Sequence, residues 1–415
     1  MDRIVESAHA VNMNIDRLER IRPVLQRYVD ECGYGGFVTR VVRRGQLVHA
    51  DEIGWQDREA GTAMSDDTIF RIYSMTKPII CSALMMLYEQ GHFQLVDPVS
   101  KFIPAFAGAK VTAPDGSLVD QNPLRPMQVR DLMTHTSGLS YDFLEDFTVA
   151  ERYREAKLMN DSTRTLETLV DELATMPLAF HPGTKWHYSL GIDVAARLIE
   201  VLSGCSVGDF LAERLFAPLK MNDTAFGVPK TKRSRLAAMY GHPDLIAEGT
   251  TIGQVFGHFV AGNHARREVA DTYPIDSPDV FQRGGLGLFS TADNYIAFAQ
   301  MLLNGKSPDG TRMLGRKTLE LMHTNHLPDA LRPYELAGAP VPGWGFGLGS
   351  RVAMELGQMG VAGTVGEFGW AGAAKTYYWV DPREELVAVL MSQFMVGFDL
   401  PENDFRGLVY QAIDD

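Results

Sequence analysis

Apolar positions change period along this chain, and the changes mark its elements. Ile15, Leu18, Ile21, Leu25 and Tyr28 recur at helical spacing, with Pro23 interrupting them, which predicts a kinked helix or one that begins late. Phe37 to Val42 and Leu47 to Trp55 are rich in β-formers, and Arg43, Arg44 and Gly45 between them predict a hairpin turn. Thr68 to Tyr73 is a further strand-like run. From Ser74 the pattern turns helical, with Ala83, Leu84, Leu87 and Tyr88 on one face and Gly91 as a stop. Residues from about Leu95 to Val280 hold several helical patterns joined by long loops. The clearest are Ile192 to Leu202 and Asp209 to Phe216, separated by Gly204 and closed by Pro218. Strand patterns return at Lys375 to Val380 and Leu386 to Ser392 around Asp381-Pro382, and Glu402 to Ile413 reads as a closing helix.

Strand-rich ends therefore flank a helical middle. The expected fold is α+β: residues 1–75 and 281–415 build one sheet domain from both termini, and 76–280 form an inserted, mainly helical domain with long loops. A cleft between the two is the expected place for a site.

Length fits that picture, since 415 residues suit two to three domains or one large mixed fold. The net charge of −13 argues against a nucleic-acid partner, which needs clustered Lys and Arg; the densest runs, Arg266–Arg267 and Lys230 to Arg235, read as solvated loops. Three cysteines, Cys32, Cys81 and Cys205, give neither a disulfide framework nor a zinc motif, and Cys81 reads as a core residue. Met1 to Asn14 has no apolar stretch of the signal-peptide kind, and no window approaches a membrane span. The expectation is a cytoplasmic protein acting on a small molecule, without a membrane partner; the pattern specifies no oligomer.

Three short elements carry candidate chemistry. Ser74-Met75-Thr76-Lys77 puts an amine one helical turn from a hydroxyl. A serine hydroxyl is a poor nucleophile until a neighbouring base takes its proton, and a lysine serves as that base where burial disfavours the ammonium form. About one Ser-x-x-Lys arises by chance in a chain of this length. Here the motif follows a strand-like run and opens an apolar helix, and no other serine has a lysine three residues on. Without that context it would be a helix-start serine with a solvated lysine. Tyr188-Ser189-Leu190 follows the turn His181-Pro182-Gly183 and precedes a helix, so Tyr188 is placed to pass a proton between Ser74 and a leaving group. Alone it would be a half-buried aromatic at a helix start. Trp370-Ala371-Gly372-Ala373 opens the C-terminal hairpin; its small residues admit a substrate to the strand backbone, and the N–H of Ala373 with that of Ser74 would form an oxyanion hole. The plain alternative is an edge strand with a buried Trp.

Other motifs are weaker. Gly204-Cys205-Ser206-Val207-Gly208 matches G-x-S-x-G, but helical spacing precedes it where a nucleophile elbow needs a strand. His135 reads as a turn histidine with local hydrogen bonds. His323 and His326 lack the glutamate of a zinc helix. Gly284, Gly285 and Gly287 read as a turn feeding a strand and make no dinucleotide fingerprint. No metal and no cofactor are expected.

In this order and spacing the three elements resemble the serine β-lactamase/penicillin-binding-protein superfamily, and within it the family VIII carboxylesterases, which are relatives of class C β-lactamases. The resemblance runs from about Phe37 to Phe394 and includes Phe70 to Lys77, Arg130-Asp131-Leu132-Met133-Thr134-His135-Thr136-Ser137-Gly138-Leu139, Tyr188 to Gly191, Gly284 to Ala292 and Trp370 to Pro382. It implies a mostly antiparallel sheet flanked by helices plus a helical domain, with the site between them. It implies Ser74 as nucleophile, Lys77 and Tyr188 as the proton-handling pair, and Trp370, Ala371 and Gly372 at the position of the superfamily's K-T-G motif. Two positions depart from the β-lactamases and peptidases. Leu190 stands where an Asn contacts a substrate amide, and Trp370 where a cation contacts a substrate carboxylate. Ala371 varies the W-G-G of the esterases. The expected activity is carboxylic ester hydrolysis through an acyl-enzyme on Ser74, with Trp370, Ala371, Gly372 and Leu190 against the substrate and with neutral esters preferred. The alternatives are a β-lactamase, a D-amino-acid peptidase or an acyltransferase on the same fold, or a binding protein that stays acylated and acts as a β-lactam sensor.

Overall fold

The computed structural model describes residues 2–415 apart from 114–116, 118–120, 146, 243, 263 and 398–399. Its first helix, α1, spans Asp2–Ala10. A short turn of helix at Ile15–Leu18 precedes α2, Ile21–Glu31. Pro23 falls in the first turn of α2, where its missing N–H has no intrahelical partner to lose, so the helix begins late and is not kinked.

One eight-stranded sheet forms the frame. β1 (Gly36–Arg43), β2 (Gln46–Asp57) and β3 (Thr62–Ala63) come from the N-terminal part. β4 (Trp344–Phe346), β5 (Arg351–Ala353), β6 (Phe368–Gly372), β7 (Thr376–Asp381) and β8 (Leu386–Met391) come from the C-terminal part. Their order across the sheet is β4-β5-β6-β7-β8-β1-β2-β3, and the pairings are antiparallel. The β1–β2 hairpin turns through Arg44 (φ 49°) and Gly45 (φ 74°), the pair of left-handed residues that suits the strand twist. β1 meets β8 from Val38↔Met391 to Arg43↔Leu386, which joins the two ends of the chain at the centre of the sheet.

Both faces of this sheet are covered, so β1, β7 and β8 are buried at every position, and β8 reads as a continuous apolar run. Side chains still alternate. Phe37, Val41, Trp379, Ala388 and Leu390 pack on one face with Leu25 of α2 and with Phe405 and Val409 of the C-terminal helix Pro401–Tyr410. Val38, Val42, Tyr378, Val387, Val389 and Met391 pack on the other, in the larger core that holds the helical middle of the chain. That core contains α3 (Thr76–Glu89), which is buried from Thr76 through Leu87, and α4 (Gly191–Ser203), which ends at Gly204 in the left-handed conformation (φ 76°).

Some expectations change. Of the run Thr68 to Tyr73, only Phe70–Arg71 is a strand, paired with Phe289–Ser290 outside the main sheet. Asp209 to Phe216 is not one α-helix: Val207–Leu211 passes into a π-helical turn at Ala212–Phe216. Lys230–Arg235 forms a 3-10 helix whose Arg235 binds the carboxylate of Asp223, and Arg266–Arg267 is a short strand, so neither basic run is a solvated loop. Among the described residues, no helix is long and apolar enough to cross a membrane.

Trp379 is 1% exposed, with its ring centre 5.5 Å from that of Phe405. Trp379→Ala is expected to cost roughly 3–5 kcal/mol, the range for emptying a close-packed aromatic site. Urea unfolding measures it; a loss below about 1 kcal/mol would show that the terminal helices do not close this face.

Candidate active site

The site forms where α3 begins. After Arg71 the chain turns through Tyr73, whose φ of 43° is unusual for an aromatic residue, into a 3-10 turn at Tyr73–Met75 that runs directly into α3. Tyr73 and Met75 are buried, while Ser74 between them stays partly exposed and lines a cavity of about 250 Å³. Lys77, one turn on, is 1% exposed and places its Nζ 3.0 Å from Ser74 Oγ. Tyr188, in the loop leading to α4, donates its hydroxyl to the same Oγ at 2.6 Å. The three residues expected to act together thus converge on one oxygen atom.

What seats Lys77 lies far away in sequence. Its Nζ donates to the carbonyl of Gly285 at 2.6 Å and lies 4.5 Å from the ring centre of Tyr188 and 5.2 Å from that of Tyr141, both attractive positions for a cation. The N–H of Gly285 in turn donates to Oδ1 of Asp193, a fully buried residue of α4, at 3.1 Å. Burial raises the Asp193 carboxyl above its ordinary range, against the pull of the Gly285 N–H and of Lys77. Oδ2 of Asp193 and the hydroxyl of Tyr141 are buried without a hydrogen-bond partner among the described residues. Gly285 stands between them: a Cβ there would lie 2.4 Å from Tyr141 Oη, 2.6 Å from Asp193 Oδ2 and 3.4 Å from Lys77 Nζ. The sequence pattern does not mark Gly285, Tyr141 or Asp193 as site residues. The available signals were the Gly284-Gly285 pair and an acid in the otherwise apolar run Ile192 to Ala196.

The sheet supplies the opposite wall. Trp370, Ala371, Gly372 and Ala373 line the cavity. A Cβ at Gly372 would lie 2.4 Å from the carbonyl oxygen of Ile72, so the end of β6 presses on the turn that carries Ser74. Trp370 is buried against Tyr188 and Phe346, at ring-centre distances of 5.8 and 5.2 Å. Phe143, Leu144, Leu245, Ile246, Ile252 and Leu286 complete an apolar wall, and Leu336, Ala337 and Arg351 also line the cavity. Leu190 does not line it. It is fully buried at the start of α4, where its carbonyl accepts from Asp193 and Val194, and it packs in the larger core that holds the helical middle of the chain.

The weaker motifs resolve into structural roles. Ser206 caps the helix Val207–Leu211, accepting from the N–H of Asp209 at 3.0 Å and donating to its carboxylate at 2.7 Å. His135 is buried beside Ser189 and packs on Tyr188 at 4.7 Å; burial, Lys77 and His187 hold it well below the ordinary histidine value. His323 stacks on Phe368, and His326 bonds the carbonyl of Leu321. Among the described residues, no group of three or more His, Cys, Asp or Glu is placed to hold a metal.

A serine bracketed by a lysine one helical turn on and by a tyrosine hydroxyl, at the junction of an antiparallel sheet and a helical region, defines the serine β-lactamase/penicillin-binding-protein class. The beta-lactamase family model matches residues 21–411, and the chain belongs to that family. Protein Rv1367c of Mycobacterium tuberculosis is 31% identical over 86% of this chain and 85% of its own. Esterase EstB of Burkholderia gladioli is 29% identical over 90% and 89%. The solved structure of EstCE1, described as a hydrolase with promiscuous acyltransferase activity, superposes with a TM-score of 0.78 at 26% identity, covering 95% of this chain and 99% of that one. The resemblance drawn from the sequence and the mostly antiparallel fold it implied both hold.

Two expectations follow from the geometry. Gly285→Ala should lower kcat by at least about tenfold, because the new methyl displaces Tyr141, Asp193 or the seat of Lys77. Steady-state kinetics beside a melting curve tests this; full activity in a folded variant would show that the close approach is not needed. Asp142, beside Tyr141, is pushed up to about 7 by burial, against the Phe143 N–H and Arg154. Between about pH 4 and 7 the folded protein keeps a proton that the unfolded chain has released. That contribution to stability therefore falls as pH rises through the window and levels off above it. Asp142→Asn should flatten the fall relative to wild type in urea titrations at pH 4.5, 6 and 7.5, and parallel curves would contradict the assignment.

Proposed function

We propose that this chain is a carboxylic ester hydrolase working through an acyl-enzyme on Ser74. The observation that carries the reading is the joint approach of Lys77 Nζ (3.0 Å) and Tyr188 Oη (2.6 Å) to Ser74 Oγ inside an apolar cavity. Ser74 Oγ attacks the ester carbonyl, and its proton passes through Lys77 and Tyr188 to the departing alkoxide. The backbone N–H groups of Ser74 and Ala373 hold the oxyanion. Water, activated by the same pair, then releases the acid and restores the serine hydroxyl.

An esterase is favoured over a β-lactamase or peptidase by two positions. Leu190 supplies no amide contact from the core, and Trp370 offers one indole donor and an apolar face where the superfamily's peptidases and lactamases place a cation. The relatives named esterase and hydrolase support the same reading. Acyl transfer is the second reading. It uses the same acyl-enzyme with an alcohol as acceptor, and the apolar walls around Ser74 would hold that alcohol as well as they hold an ester.

Ser74→Ala is expected to abolish hydrolysis of 4-nitrophenyl acetate, while Ser206→Ala retains most of it. Lys77→Ala and Tyr188→Phe should each lower turnover by about 10²-fold or more, in kcat rather than KM. Near-normal turnover by Tyr188→Phe would reduce that residue to packing. A burst of one equivalent without a steady rate would favour the acylated sensor.

A further inference from the structure

Arg351 is the single charged residue lining the cavity that holds Ser74, and no acid lines it among the described residues. The cations around it are matched: Arg406 pairs with Glu367, and Lys375 with Glu402 at 3.4 Å. Arg351 makes no ion pair among the described residues. Its guanidinium carbon lies 4.2 Å from the ring centre of Trp344, its Nη2 donates to the hydroxyl of Tyr377 at 2.8 Å, and its Nε is buried without a partner among the described residues. An arginine has five N–H donors in a planar fork that fits a carboxylate, and this one spends a single donor on a neutral hydroxyl. A partly buried cation with donors to spare, in an otherwise apolar cavity, is a site for an anion.

Its position sets where on the substrate that anion must be. Arg351 is paired with Gly369 at one end of β6, and Gly372 at the other end presses on Ile72 beside Ser74. Three residues of strand separate the two ends by about 10 Å. A carboxylate next to the reacting carbonyl would meet Trp370, whereas one at the far end of a chain would reach Arg351. We propose that Arg351 forms an anion subsite and that the enzyme prefers esters carrying a carboxylate remote from the scissile bond. This proposal runs against the expected preference for neutral esters, and it rests on the ester-hydrolase reading.

The test compares two matched ester pairs in the full-length enzyme. In the first, 4-nitrophenyl suberate, with a free carboxylate at the end of its acyl chain, is set against 4-nitrophenyl octanoate. In the second, the carboxylate is at the far end of an aliphatic alcohol chain, set against the uncharged alcohol ester. A charged hydrogen bond predicts that kcat/KM favours the anionic member of at least one pair by about tenfold to a hundredfold. Arg351→Met should bring that ratio to about one, mainly through KM, and Arg351→Lys should retain part of it. A merely structural loss would lower both members alike and leave the ratio in place, which would overturn the subsite. So would turnover by the wild type without preference in either pair. Should Arg351→Met fail to fold, the wild-type ratios and Arg351→Lys decide. Turnover of none of the four esters would instead overturn the hydrolase reading, and this inference with it.

Discussion

Lys77 sits at 1% exposure, and an amine removed from water must find acceptors inside the protein. It finds the carbonyl of Gly285 and the hydroxyl of Ser74, and among the described residues it has no direct carboxylate partner. The requirement ties together three parts of the chain: the start of α3, the Gly284-Gly285 segment and, through the Gly285 N–H, Asp193 of α4. Each fixes the next. Asp193 holds the Gly285 peptide, the peptide orients its carbonyl, the carbonyl holds the amine, and the amine and Tyr188 hold Ser74. A low local dielectric strengthens every link in this series.

The sheet makes the series rigid. Because both of its faces are buried, β6 is fixed against β7, and the end of β6 at Gly372 meets the backbone at Ile72 with no room for a side chain. The turn at Tyr73–Met75 is therefore held from the sheet side as firmly as Lys77 is held from the helical side. An aromatic layer joins the two: Trp370 touches Tyr188 and Phe346, and His135 touches both of those rings. Side chains locked by packing on both sides, whether on a helix, a turn or a loop, hold their places without fresh ordering each time.

The sequence made local relations legible. Ser74 and Lys77 are one helical turn apart by spacing alone, and the strand-rich ends of the chain do share a sheet, with β1 beside β8. Motif order marks Tyr188 and the Trp370 strand. What stayed hidden depends on contacts between distant segments. Gly285 reads as a turn glycine until Tyr141, Asp193 and Lys77 surround it. Arg351 looks like any surface arginine until it is seen lining the cavity of Ser74 with no ion pair among the described residues. Leu190 keeps its place in the motif, yet the start of α4 turns it into the core. The run Thr68 to Tyr73 has β-formers, but of it only Phe70–Arg71 forms a strand, and the helix from Val207 widens into a π turn that its spacing does not reveal.

The central claim is that Ser74 Oγ becomes covalently acylated during turnover. Intact-protein mass spectrometry on acid-quenched samples, taken in the first turnovers with a 4-nitrophenyl ester and followed by peptide mapping, addresses it directly. The account predicts one acyl group per chain, located on Ser74 in the peptide containing Tyr73 to Lys77 and lost as hydrolysis completes. Sustained hydrolysis with the acyl group on Ser206, or on any residue other than Ser74, would contradict it.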